Sequence, residues 1–137
     1  MVRVSKNKID KKIYSKINDQ FVFSLMSLNS KEKSLNFIDE LFTSSEKVML
    51  AKRLAILVML KEGLSQYAIW NTLNVSPATV TRISRLLKEK RFDFIENLFA
   101  DKRARKKFLR DILIFIYKVA PPRPLGSAWK YIHNIDQ

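Results

Sequence analysis

The sequence predicts an all-α fold. Three observations carry that expectation: chain breakers are few, apolar residues recur at steps of three and four, and hydroxyl caps precede the apolar runs. Two glycines and four prolines punctuate 137 residues, and three of the prolines crowd into Pro121–Pro124. A hydrophobic content of 47% is enough to bury a core in a chain of this length. Cysteine is absent, which excludes a disulfide framework and cysteine-based zinc sites and fits a reducing compartment.

Residues 1–10 are basic, with Arg3, Lys6 and Lys8, and are expected to form a flexible arm. No apolar run follows them, so they do not read as a secretory signal. From Lys11 to Leu28, apolar residues at Ile13, Ile17, Phe21, Leu25 and Leu28 mark one helical face. Ser30 is a natural N-cap for a helix over Lys31–Phe42, which aligns Leu35, Ile38, Leu41 and Phe42. Thr43 and Glu46 have capping-box spacing and predict a helix from Ser44 to Glu62. That helix is apolar almost all round, from Val48 through Leu60, so it requires cover on most sides. A second subunit is the expected source of part of that cover. Gly63 closes the helix, since only glycine adopts the left-handed conformation cheaply.

A short helix is expected from Ser65 to Leu73, then a tight turn at Asn74–Ser76, then a helix from Pro77 to Lys90 with Ser76 as N-cap and proline at its first position. Phe92–Phe99 forms another short helix, and Asp101–Val119 a last one that Pro121–Pro124 stops. A docking turn around Trp129 and Ile132 is expected in the tail. No apolar run reaches the roughly 18 residues that a membrane span needs.

The formal charge of +13 calls for a polyanionic partner. The stretch LSQYAIWNTLNVSPATVTRISRLLKEK, Leu64–Lys90, has the parts of a helix-turn-helix. Ile69 and Leu73 give the first helix an inward face, Asn74 reverses the chain, and Val75 anchors the turn. Val80, Ile83 and Leu87 form the buried stripe of the second helix. Pro77, Ala78, Thr81, Arg82 and Arg85 remain outside, where methyl groups suit thymine, hydroxyls suit bases or phosphates, and arginine suits guanine or phosphate. Gln66 is placed for a backbone or base contact. Lys88 and the basic run with Lys102, Arg103 and Lys106 are candidate phosphate contacts.

The stretches LMSLNSKEKSLNFIDELFTSSEKVMLAKRL and GLSQYAIWNTLNVSPATVTR, with RISRLLK following, resemble the Trp repressor superfamily, in particular its TrpR-related YerC/YecD-type branch. The resemblance spans Leu25–Glu89. It implies an intertwined homodimer with two recognition helices one DNA turn apart, about 34 Å. It places operator contacts on Gln66, Tyr67, Trp70, Pro77, Ala78, Thr79 and Thr81. Tyr67 and Trp70 stand where the repressor has basic residues, so Trp70 is expected to pack. The arginines that clamp tryptophan in the repressor correspond to Arg53 and Arg82, which here are candidates for effector binding or for ion pairs with Glu40 or Glu46. Ile83 replaces a glycine beside that slot and is expected to fill it, so no tryptophan cofactor is expected.

No catalytic set is visible: His133 has no neighbouring nucleophile, phosphate loops are missing, and no metal site is expected. The expected organisation is a basic arm over 1–10, a helical DNA-binding domain over 11–100 with its helix-turn-helix over 65–90, and a C-terminal helix and tail over 101–137. The expected function is a cytoplasmic, nucleoid-associated regulator, a repressor, that reads double-stranded DNA with the helix over 77–90. The alternative is a structural or RNA-associated protein that binds nucleic acid without reading sequence.

Overall fold

The computed structural model describes the backbone of residues 6–119 and the side chains of residues 6–114. Arg3, Pro121–Pro124, Trp129, Ile132 and His133 lie outside the described residues. Among those described there are seven helices and no strand: α1 (Lys11–Met26), α2 (Lys31–Leu41), α3 (Ser44–Lys61), α4 (Gln66–Leu73), α5 (Pro77–Lys88), α6 (Asp93–Leu98) and α7 (Lys102–Val119).

The caps lie where the hydroxyls predicted them. Ser30, Ser65 and Ser76 accept from the backbone N–H of Lys33, Ala68 and Thr79. Thr43 and Glu46 close a reciprocal box, with Glu46 N–H to Thr43 Oγ1 at 3.2 Å and Thr43 N–H to Glu46 Oε2 at 2.8 Å. At the end of α3, Gly63 has φ +84°, and the N–H groups of Gly63 and Leu64 bond to the carbonyls of Leu60 and Met59. This is a Schellman termination. Two ends, those of α1 and α5, come two residues earlier than the apolar periodicity suggested. Ser27 caps α1, so Leu28 lies outside it. Helix α5 stops at Lys88 because Lys90 takes φ +61° and directs the N–H of Lys90 and Arg91 back to Leu87 and Leu86. The residue there is lysine, so composition carried no glycine signal.

The chain divides into two compact units, Met1–Met49 and Leu50–Gln137. The division falls inside α3. Leu109 and Leu113 of α7 are completely buried in the same core as α3, α4 and α5, which makes α7 part of the second unit. In the first unit α1 and α2 meet through Phe21 and Phe37, with ring centroids 6.2 Å apart. Neither helix buries a residue. The apolar stripe Ile13, Ile17, Leu25 of α1 and Leu35, Ile38, Leu41 of α2 stays exposed.

The second unit holds the core: Ile56–Met59, Leu64, Ile69, Val80, Ile83, Leu109 and Leu113. Ala55–Met59 of α3 is buried, whereas Val48 and Leu50 are exposed. Among the described residues, the fully buried stretch of α3 thus lies in its C-terminal half.

Candidate nucleic-acid interface

Helices α4 and α5 pack directly against each other. The chain reverses between them in three residues because Asn74 takes the left-handed conformation, φ 51° and ψ 55°. Val75 follows it, packs on the core, and donates its N–H to the Trp70 carbonyl at 3.1 Å. A lysine from another helix holds the turn: Lys52 Nζ of α3 donates to the Asn74 carbonyl at 3.2 Å. Sequence spacing gave no signal for that bond, since the two residues are 22 positions apart.

Helix α5 has two contrasting sides. Val80 and Ile83 are buried and Leu87 packs partly against them, forming the inward stripe. Pro77, Ala78, Thr81, Arg82, Arg85 and Lys88 are exposed, and Thr79 is half-buried. The Thr79 hydroxyl lies 2.7 Å from Ser76 Oγ, so both hydroxyls belong to the N-cap. Among the described residues Arg82, Arg85 and Lys88 form no ion pair. Their charges therefore face solvent uncompensated along one edge.

The polar side chains between the two helices are organised. Thr81 Oγ1 donates to Gln66 Oε1 at 3.1 Å, and Gln66 Nε2 donates to Ser84 Oγ at 3.3 Å. Gln66 is half-buried and Ser84 buried, so the amide ties the start of α4 to the middle of α5. Ser84 was not singled out by sequence reasoning, because a serine inside an amphipathic helix carries no distinctive spacing.

Tyr67 is exposed and meets Trp70 edge-on at 5.5 Å. Trp70 is half-buried and packs against the core. Arg53 is exposed on α3 and, like Arg82, has no ion-pair partner among the described residues. The Glu46 partner that the sequence allowed is engaged elsewhere, since its carboxylate accepts from both the N–H and the hydroxyl of Thr43. Lys102, Arg103 and Lys106 are exposed on α7. No group of His, Asp or Glu able to hold a metal occurs among the described residues.

Residues 16–102, which contain the α4–turn–α5 pair and its exposed basic edge, match the family described as Trp repressor protein. The chain belongs to the Trp repressor family. This is a family of DNA-binding regulators, and this member is also similar to the uncharacterized protein YerC of Bacillus subtilis (strain 168). The two are 37% identical over 76 residues, which cover 56% of this chain and 73% of YerC. No solved structure gives a significant match. In this Trp repressor family member nearly all of α7 lies beyond the matched segment, and no helix among the described residues is long and apolar enough to cross a membrane.

Proposed function

We propose that this protein is a sequence-specific double-stranded DNA-binding transcriptional regulator, a repressor, in which α4, the Asn74 turn and α5 act as a helix-turn-helix. One observation carries the reading. Pro77, Ala78, Thr81, Arg82 and Arg85 are exposed opposite the buried pair Val80 and Ile83, so the N-terminal half of α5 is open to a major groove. Arginine and threonine contacts to base edges supply sequence preference, and the charge of +13 supplies affinity for any duplex.

The active form is an intertwined homodimer in the cytoplasm, bound to the nucleoid. The exposed apolar stripes of α1 and α2, together with Phe94 and Leu98 of α6, support a second subunit as their cover. The operator is pseudo-palindromic, with half-sites about 34 Å apart. Tryptophan is not its effector: Ile83 is 3% exposed and embedded in the core, which supports a filled slot. Tryptophan added to the protein leaves DNA affinity unchanged on this reading.

Binding selection on randomised duplex, with native mass measurement of the free protein, tests the proposal. An enriched palindromic motif and a two-chain mass are expected. Arg82→Ala and Thr81→Ala each lower the preference for the motif by about 1–3 kcal/mol while the dimer persists. Failure to enrich any motif, with equal affinity for every duplex, would establish the non-specific alternative.

A further inference from the structure

Six basic residues open α7, and the structure sorts them by face. Arg105 turns inward. Its Nε donates to Glu62 at 2.6 Å, and its Nη1 donates to the carbonyls of Phe99 and Ala100, each at 2.7 Å. The side chains of Arg105 and Glu62 are only 13% and 6% exposed. Leu109 and Leu113 continue the same line at steps of four and are completely buried. Helix α7 is therefore held firmly along one side.

The adjoining, exposed side carries Arg103, Lys106, Lys107 and Arg110. Their spacing of i, i+3, i+4 and i+7 aligns them in one stripe, and all four are exposed. None has an ion-pair partner among the described residues, and Asp111 is the only acidic residue of the helix. Two costs attach to this arrangement. Like charges three and four residues apart repel. Cations near a helix N-terminus also oppose the macrodipole, and the one carboxylate at that end, Asp101, which accepts from Arg103 N–H at 3.0 Å, stands against six basic residues. A face meant only for solvent would be relieved by interspersed acids. Both costs vanish against a dense row of anions. An anionic lipid surface is disfavoured, because an interfacial helix must offer its apolar side to the bilayer and the apolar side of α7 is committed to the core.

We infer that α7 is a second nucleic-acid contact, in which Arg103, Lys106, Lys107 and Arg110 grip the phosphodiester backbone of duplex DNA beside the segment that α5 reads. The inference rests on the proposed DNA-binding reading. It assigns a role to a helix that lies almost wholly beyond the matched family segment. Phosphate contacts carry no base information, so this surface strengthens binding to every sequence equally and lengthens the footprint.

The test uses the full chain with Arg103→Gln, Lys106→Gln, Lys107→Gln and Arg110→Gln combined. Affinity is measured against salt on the selected duplex and on a random duplex of equal length. Each lost phosphate contact flattens the slope of log K against log salt by about 0.9, so a change of about 2–4 is expected. Affinity for both duplexes falls by about 10²-fold near 0.15 M salt, and their ratio stays constant. Unchanged slope and affinity in a variant with wild-type helical content would overturn the assignment. So would a loss confined to duplex RNA or to anionic lipid vesicles. The pair Lys106→Gln with Arg110→Gln serves as the milder variant and moves the slope half as far. If no motif is ever selected but the slope still flattens, base reading by α5 fails and the α7 contact stands. A selected motif with an unmoved slope has the reverse meaning, and absence of duplex binding by the wild type overturns both.

Discussion

Replacing Gln66 with leucine removes the amide that joins α4 to α5, and the structure sets the size of the effect. Two hydrogen bonds are lost, from Thr81 Oγ1 at 3.1 Å and to Ser84 Oγ at 3.3 Å. A typical intramolecular hydrogen bond contributes about 0.5–1.5 kcal/mol net. The length of the second bond and the exposure of Thr81 put both near the lower end of that range. Leucine recovers a little apolar burial at a half-buried position. The expected destabilisation of Gln66→Leu is therefore about 1 kcal/mol. Its effect on recognition is of similar size: the Thr81 hydroxyl is no longer oriented, and discrimination at the base pair facing it drops about fivefold. Gln66→Glu is the control. Its carboxylate still accepts from Thr81 and can accept from Ser84, so stability changes by less than about 0.5 kcal/mol. Its negative charge lowers affinity for all duplexes alike. Urea denaturation gives the stability arm, and competitive gel shift against single-base variants of the selected motif gives the recognition arm. A leucine variant with wild-type stability and unaltered discrimination would refute the positioning role of Gln66.

The two Schellman ends should respond in opposite directions. Gly63→Ala meets no atom within 4 Å, so its cost of about 1 kcal/mol is the left-handed backbone alone, whereas Lys90→Gly relieves the same conformation and gains up to about 1 kcal/mol. Denaturation midpoints that move in the same direction would contradict this. Leu113→Ala empties a completely buried position on α7 and should cost about 3 kcal/mol in urea denaturation, and a loss below about 1 kcal/mol would mean that α7 is not docked. Thr72 is 9% exposed and its hydroxyl has no partner among the described residues, so Thr72→Val should stabilise by about 1 kcal/mol, and a clear loss of thermal stability would expose a hidden bond.

Most helix limits could be read along the chain. The Thr43–Glu46 box, the serine caps before α2, α4 and α5, and Gly63 each act through hydrogen bonds within a few residues, so local residue order is sufficient to specify them. The buried stripe of α5 and its exposed opposite side followed from helical period in the same way. The exceptions are instructive. Lys90 ends α5 by a backbone conformation that lysine does not advertise. Arg105 sits among basic neighbours in the sequence and nothing in its spacing sets it apart, yet it serves as an inward anchor.

Residue order thus settled where helices begin, which side of α5 turns inward, and that the chain carries a large positive charge. Folding in three dimensions settled which polar groups meet: Lys52 with Asn74, Gln66 with Thr81 and Ser84, and Arg105 with Glu62. Those partners lie between 15 and 43 positions apart. Capping and periodicity act over one or two turns of helix, whereas bonds across such separations exist only after apolar burial has brought the helices together.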